Sequence, residues 1–274
     1  MLSAETEARL MECLREDLGA GDVTSEITPA RECTAQITAN ESCTIAGLEE
    51  ISFMMKSRGL NVTHRKKDGE AARKGAAVLE VSGSNGKILS MERVCLNILG
   101  RMSGVATLCA KAKAIAPKET IAVTRKTVPG FQMLDKKAAE VAGCWTHRKN
   151  LAEMILLKDN HLKFFSGAGA AAARAKETGA RFEIEAENEK DALEAAVHRP
   201  DIIMLDNFTP RKAKAAIMAL RKAGFAGKIE LSGGITLKNL ETYTNLGADI
   251  ISMGELTKKA KILDFSMEII SARR

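Results

Sequence analysis

The spacing of apolar and polar positions changes twice along the chain. Over residues 4–18, Leu10, Met11, Cys13, Leu14 and Leu18 fall at helical spacing, so a helix is expected, ending at the turn-rich Gly19-Ala20-Gly21-Asp22. The pattern then alternates. Residues 34–39 and 43–47 read as strands, 48–58 as a helix, 61–64 as a strand, 66–70 as a polar turn, and 77–83 as a strand closed by Ser84-Asn85-Gly86. A long helical run follows over 89–114, with Val94, Leu96, Ile98, Leu99, Met102, Val105 and Leu108 apolar. Gly100 and Gly104 interrupt it, which predicts two helices or one kinked helix, with Arg101 and Ser103 at the interruption.

From residue 120 the pattern becomes strand, loop, helix, repeated. Strands are predicted at 121–126, 154–159, 182–187, 201–207, 228–233 and 249–254, and helices at 135–142, 167–179, 189–198, 210–223 and 237–246. Such alternation argues for βαβ units and a parallel sheet. Six units are fewer than eight. The expected fold class is therefore α/β: an incomplete (β/α) barrel over residues 107–259, preceded by an α+β domain over 1–106. Active-site groups of barrels sit at the C-terminal ends of strands. Here those ends carry Arg125 and Lys126, Lys158, Glu185, Asp206, Ser232-Gly233-Gly234 and Gly254.

Composition narrows the partners. The 274 residues suffice for one barrel or two domains, and 45% hydrophobic with 28% charged residues is ordinary for a globular chain. A net charge of +6 suits an anionic partner without choosing between metabolite and nucleic acid. Aromatics at 4% argue against a base-stacking platform, and the basic residues are dispersed among the barrel units, so no nucleic-acid partner is expected. No apolar run reaches membrane-spanning length, and Glu5, Glu7 and Glu12 are unlike a signal peptide. Cys13, Cys33, Cys43, Cys95, Cys109 and Cys144 show no paired metal spacing and read as reduced thiols of a cytoplasmic protein. The pairs Lys258-Lys259 and Arg273-Arg274 read as solvated.

The chemistry concentrates between Thr124 and His161. Arg125-Lys126 and Lys158 each follow an apolar run that reads as a buried strand, and His147-Arg148 lies between them. Fixed cations converging on one cleft describe a site for a small polyanion. Taken singly, each signal has a plainer reading. Cations at strand ends are often solvated, and a lone histidine is more often packed than liganding. Glu185 alternates with Glu183 and Glu187, so only an inward position makes it special. Glu185 and Asp206, on successive strands, suit a divalent metal, sugar hydroxyls or acid–base work. Gly233-Gly234 ahead of the helix predicted at Leu237 offers a phosphate cradle, or else a plain turn. A ligand with a phosphate at one end, a sugar-like middle and a second anionic part fits these positions.

At this point the chain resembles a known family. Thr124-Arg125-Lys126-Thr127-Val128-Pro129-Gly130, His147-Arg148, Lys158-Asp159-Asn160-His161, Met204-Leu205-Asp206-Asn207-Phe208 and Ser232-Gly233-Gly234-Ile235-Thr236 look like quinolinate phosphoribosyltransferase, also called nicotinate-nucleotide pyrophosphorylase (carboxylating). Leu14-Arg15-Glu16-Asp17-Leu18-Gly19-Ala20-Gly21-Asp22-Val23-Thr24-Ser25, and Glu92-Arg93-Val94-Cys95-Leu96-Asn97 ahead of Ser103-Gly104, match as well. The motifs occur in family order over nearly the whole chain.

The resemblance implies transfer of phosphoribose from 5-phosphoribosyl-1-pyrophosphate to quinolinate with decarboxylation, yielding nicotinate mononucleotide for NAD synthesis. Magnesium accompanies the pyrophosphate donor. Carried over by motif, Arg101, Arg125, His147, Arg148 and Lys158 bind the quinolinate carboxylates, with Thr124 beside them. Lys126 lies between the substrates and helps hold pyrophosphate. Glu185 and Asp206 face the ribose hydroxyls and the metal, directly or through water or substrate. The loops Ser232-Gly233-Gly234 and Met253-Gly254-Glu255 hold the 5′-phosphate. The family is a homodimer or larger with shared active sites, the residue matching Arg101 coming from the neighbouring subunit. The N-terminal domain is a sandwich joined by the C-terminal tail, here 260–274. The chain departs from the family pattern at Ala142-Gly143-Cys144-Trp145-Thr146, at Lys149-Asn150 and at Glu255. A paralogue associated with molybdate transport shares part of the pattern, which leaves a transferase or binding protein for another aromatic acid as the alternative. Intact Lys158-Asp159-Asn160-His161 favours the quinolinate enzyme.

Overall fold

The structure is a computed structural model that describes residues 2–272, so Arg273 and Arg274 lie outside the described residues. The chain divides into two compact units, the first comprising residues 2–110, 127–143 and 259–272, the second 111–126 and 144–258.

The first unit is built on an antiparallel sheet. Its strands lie in the order Phe265–Ala272, Glu32–Ala39, Ala76–Ser84, Asn61–His64. Alternation works as expected in Glu32–Ala39, where Cys33, Ala35, Ile37 and Ala39 are buried and their neighbours are not. The strand expected at 43–47 shortens to Cys43–Thr44, paired with Ala71–Ala72. The turn expected at Ser84-Asn85-Gly86 opens a short helix, Asn85–Leu89. Helix Ala4–Leu18 starts at Ser3, whose hydroxyl accepts the Thr6 N–H at 3.2 Å, and buries Leu10 and Leu14. Leu48–Ser57 buries Ile51, Met54 and Met55.

Of the two helices or one kinked helix expected around Gly100 and Gly104, a single helix is found, Glu92–Ile115. The glycines serve close approach. A Cβ at Gly100 would collide with the Leu263 carbonyl, and one at Gly104 with the Lys261 carbonyl. The Leu263 N–H donates to the Gly100 carbonyl at 3.1 Å across that contact.

The second unit is the expected α/β layer. Its strands are β1 (Thr120–Val123), β2 (Ile155–Leu157), β3 (Phe182–Ala186), β4 (Ile202–Asp206), β5 (Lys228–Ser232) and β6 (Ile250–Met253). They pair in parallel in the order β1-β6-β5-β4-β3-β2. Each strand thus neighbours its successor, except that β1 and β2 do not pair. The barrel is incomplete, with an open seam between them. On the β1 side Trp145 forms a one-residue bridge: its N–H donates to the Ile121 carbonyl at 2.8 Å, and its carbonyl accepts the Val123 N–H at 3.0 Å. Its indole packs on Ala122, Met154, Ile202 and Ile250.

Helices Ala168–Glu177, Glu189–Ala196 and Pro210–Lys222 follow β2, β3 and β4. Asn188 and Thr209 cap the last two through their side-chain oxygens. The helix expected at 237–246 is absent, and a 3₁₀ turn, Leu240–Tyr243, stands in its place. Side chains hold the loop ahead of it. Asn239 Oδ1 accepts the Thr236 N–H at 2.7 Å, and the Glu255 carboxylate accepts the Leu237 N–H at 2.7 Å. Among the described residues no helix is long and apolar enough to cross a membrane.

Candidate active site

The strands end earlier than their sequence pattern suggested, so Lys126, Lys158, Gly233 and Gly254 stand just beyond the last paired residues. Those ends open into a cavity of about 310 Å³ in the second unit. Nine expected residues line it. Thr124, Arg125 and Lys126 come from beyond β1, His147 and Arg148 from the seam, and Lys158 from beyond β2. Glu185, Asp206 and Ser232 come from β3, β4 and β5.

Local contacts explain how these side chains are held. The Thr124 hydroxyl accepts the Lys126 N–H at 3.2 Å, and the Thr257 hydroxyl donates to the Lys126 carbonyl at 2.9 Å. Lys158 Nζ donates to Glu185 Oε2 at 2.7 Å. Arg148, only 8% exposed, donates through Nη1 to the Met154 carbonyl at 3.1 Å. Burial and the neighbouring Arg125 pull its guanidinium pKa down, and Glu183 works the other way. Two cations held this close favour an anion between them.

The other expected residues do not line the cavity. Arg101 lies in the first unit, where Nε and Nη2 grip both oxygens of the buried Asp135 at 2.8 Å and Nη1 donates to the Ala260 carbonyl at 2.9 Å. Burial pushes the Asp135 carboxyl pKa up while Arg101 pulls it down. Gly233 (φ 86) and Gly234 (φ 64) form a left-handed turn after β5, as glycine permits. Met253 is fully buried on β6. A Cβ at Gly254 would lie 3.2 Å from Lys126 Cδ.

Four lining residues were not anticipated: Leu156, Met204, Glu230 and Ser252. Each sits two positions before a strand-end residue already singled out, namely Lys158, Asp206, Ser232 and Gly254. Alternate residues of a strand share a face, so the inner layer was one pleat further down. Glu183 stands in the same relation to Glu185 and is fully buried. Its pKa is pushed up to about 7 by burial, with Glu230 adding to it and His147 opposing. Asn207, with φ 58, donates its side-chain amide to Asp206, and a Cβ at Gly233 would strike it.

Among the described residues one group of three could in principle hold a metal ion: His147, Glu183 and Glu230, whose ligand atoms lie within 4.8 Å of one another. His147 Nε2 is 2.9 Å from Glu183 and 3.3 Å from Glu230. Burial pulls the imidazole pKa down, but the two carboxylates outweigh it and raise it to about 9. A second ring proton would have to sit on Nδ1, which already accepts the Arg148 N–H at 2.8 Å. Nδ1 therefore faces an N–H and Nε2 faces the two acids, none of whose oxygens makes a hydrogen bond of good geometry to it.

The family models for the N-terminal and C-terminal domains of quinolinate phosphoribosyl transferase match residues 22–103 and 105–268. A probable nicotinate-nucleotide pyrophosphorylase (carboxylating) of Archaeoglobus fulgidus is 37% identical over 91% of this chain and 98% of its own length. The human nicotinate-nucleotide pyrophosphorylase (carboxylating) is 32% identical over 94% of this chain and 89% of its own. Among solved structures, NadC from Streptococcus pyogenes superposes with a TM-score of 0.92 at 31% identity, covering 100% of this chain and 99% of that one. With both domains matched and relatives above 30% identity along nearly its full length, the chain belongs to the quinolinate phosphoribosyl transferase family.

Proposed function

We propose that the protein joins quinolinate to 5-phosphoribosyl-1-pyrophosphate, releasing pyrophosphate and carbon dioxide and giving nicotinate mononucleotide for NAD synthesis. One observation carries the reading: a single cavity whose walls hold Arg125, Lys126, Arg148 and Lys158 together with Glu185 and Asp206. The cations suit a dicarboxylate and a pyrophosphate, the two carboxylates suit a ribose that becomes cationic, and Leu156 and Met204 offer apolar surface to the pyridine ring. Nicotinate mononucleotide formed from the two substrates supports it. Purified protein that forms none sinks it.

Breaking the bond between ribose and pyrophosphate builds positive charge on the sugar and negative charge on the leaving group. In this reading Lys126 lies along the leaving pyrophosphate, and Glu185 and Asp206 face the ribose. Arg125, Arg148 and Lys158 hold the two carboxylates of quinolinate, with Thr124 and His147 at the margin, so that the ring nitrogen is aimed at the sugar. After transfer the ring nitrogen is cationic and stabilises the carbanion left by decarboxylation, and the protein's part is to position and to exclude water.

Ser232, Gly233 and Gly234 are read as the seat of the 5′-phosphate, with Met253 and Gly254 beside them. Glu255, bonded to the Leu237 N–H, ties the two loops together instead of opposing the phosphate. Glu185 and Asp206, oxygen donors on adjacent strands, fit a magnesium ion that the donor's phosphates and water complete. Magnesium there would neutralise charge on the leaving pyrophosphate. A cytoplasmic setting fits six cysteines that no disulfide joins.

Gly254 tests the placement of Lys126. Its backbone is not left-handed, so a Cβ there meets little besides the Lys126 side chain. Gly254→Ala is expected to slow turnover about tenfold through misplacement of that lysine, with the melting temperature unchanged. Equal loss of melting temperature and activity would mean a folding defect instead.

The reading includes a homodimer or larger assembly in which Arg101 completes a neighbour's site. A chain carrying Arg101→Ala with Asp135→Ala, which leaves no carboxylate buried alone, is to be mixed with a Lys126→Ala chain. Subunit exchange is expected to restore part of the activity. Mixtures that stay as inactive as their components would argue for a site built within one chain.

A further inference from the structure

The structure assigns His147 a positioning role: it is a buried strut, held at one end by Glu183 and Glu230, that fixes Arg148 at the other. The inference rests on Arg148 being a quinolinate ligand, as proposed above.

Both ring nitrogens are turned into the protein, and Nε2 is buried without a hydrogen bond of its own. Nε2 faces the carboxylates of Glu183 and Glu230 at 2.9 and 3.3 Å, and both acids are fully buried. Nδ1 accepts the Arg148 N–H at 2.8 Å. The ring of Trp145 lies 4.6 Å away, centroid to centroid. No polar atom of the imidazole remains to meet a substrate carboxylate. The backbone of His147 is also unusual: φ is 54, a left-handed conformation that non-glycine residues seldom adopt. Such a conformation persists where its surroundings over-determine it, and here the two acids and the Arg148 N–H do so.

What the strut holds is Arg148. Its backbone is pinned by His147 and its head by the Met154 carbonyl, so the guanidinium reaches the cavity with little freedom. A preset guanidinium costs less entropy when a carboxylate arrives.

The test exchanges the strut while keeping its backbone. Asn tolerates the left-handed region, and its side-chain oxygen can accept the next residue's N–H, as Asn85 accepts that of Gly86 at 2.9 Å. Gly also tolerates that region but offers no acceptor. Quinolinate affinity is measured by calorimetry on the full chain without the pyrophosphate donor, and KM is measured for each substrate. His147→Asn is expected to keep quinolinate affinity within about threefold, and His147→Gly to lose about tenfold, the scale of one hydrogen bond that orients a charged group. The KM for the pyrophosphate donor should stay unchanged in both. The comparison is repeated in a Glu230→Gln background, where one buried charge fewer is left unpaired if folding suffers. Equal losses in the Asn and Gly variants would overturn the strut. Arg148→Ala run alongside separates the two levels. If it leaves quinolinate affinity unchanged, the reading of Arg148 fails. If it abolishes affinity while Asn and Gly at 147 behave alike, only the strut fails.

Discussion

Replacing Arg148 by Ala is expected to weaken quinolinate binding by roughly thirtyfold or more, which is the lower end of about 2–5 kcal/mol for truncating one partner of a buried charge pair. The side chain is 8% exposed, so its guanidinium meets an anion with little water between them. Removing it leaves a substrate carboxylate facing Arg125 alone from that side. Lys in its place should recover part of the loss, because an ammonium keeps the charge but cannot grip two oxygens in the plane of a guanidinium. Calorimetry without the pyrophosphate donor reads the effect directly. Unchanged affinity in Arg148→Ala would show that the acid end of the cavity lies elsewhere.

Glu185→Gln is expected to lower kcat by roughly a hundredfold, the scale of one electrostatic group in an active site, while leaving quinolinate affinity nearly intact. The carboxylate is assigned to charge that develops only as the ribose bond breaks, so its loss should appear in turnover and not in ground-state binding. The contact with Lys158 sharpens this expectation. At 2.7 Å it joins a residue of the proposed acid end to one of the ribose end. In Glu185→Gln that lysine is released toward quinolinate. Because Lys158 is 43% exposed, the release should change affinity by no more than about fivefold. Asp206→Asn should follow the same pattern and raise the magnesium requirement. If Glu185→Gln abolishes quinolinate binding and spares turnover at saturation, the division of the cavity into two ends is wrong.

Parts of this site could be read from the residues themselves. Lys158 and Asp206 stand out because the runs before them are continuously apolar, as strands buried on both faces must be. The layer beneath was harder. Glu183, Glu185 and Glu187 alternate with apolar neighbours, and period two says that they share a face without saying which way it points. In the fold Glu183 and Glu185 turn inward while Glu187, just past the strand, is exposed, and Glu183 is buried more deeply than any solvated reading allows. His147 and Arg148 lie outside regular strands, so their place between two cationic strand ends marked them and only the family motif gave them a role.

Two features depend on partners distant in sequence. Gly100 and Gly104 lie inside one helix, where the backbone of residues 261–263 needs their missing side chains. The helix expected at 237–246 gives way to a 3₁₀ turn, Leu240–Tyr243, and the loop ahead of it is tied to Glu255, eighteen positions from Leu237. Windowed periodicity contains neither partner.

Trp145 has a consequence for observation. It is the single tryptophan of the chain, it occupies the barrel's open seam, and its ring lies against that of His147, next to Arg148. The protein's indole emission therefore has one source, about one residue's width from the proposed acid pocket. A titration with quinolinate can be followed by intrinsic fluorescence without a label. Because the same indole packs on Ala122, Met154, Ile202 and Ile250, its spectrum also monitors whether that packing is kept in each variant described above.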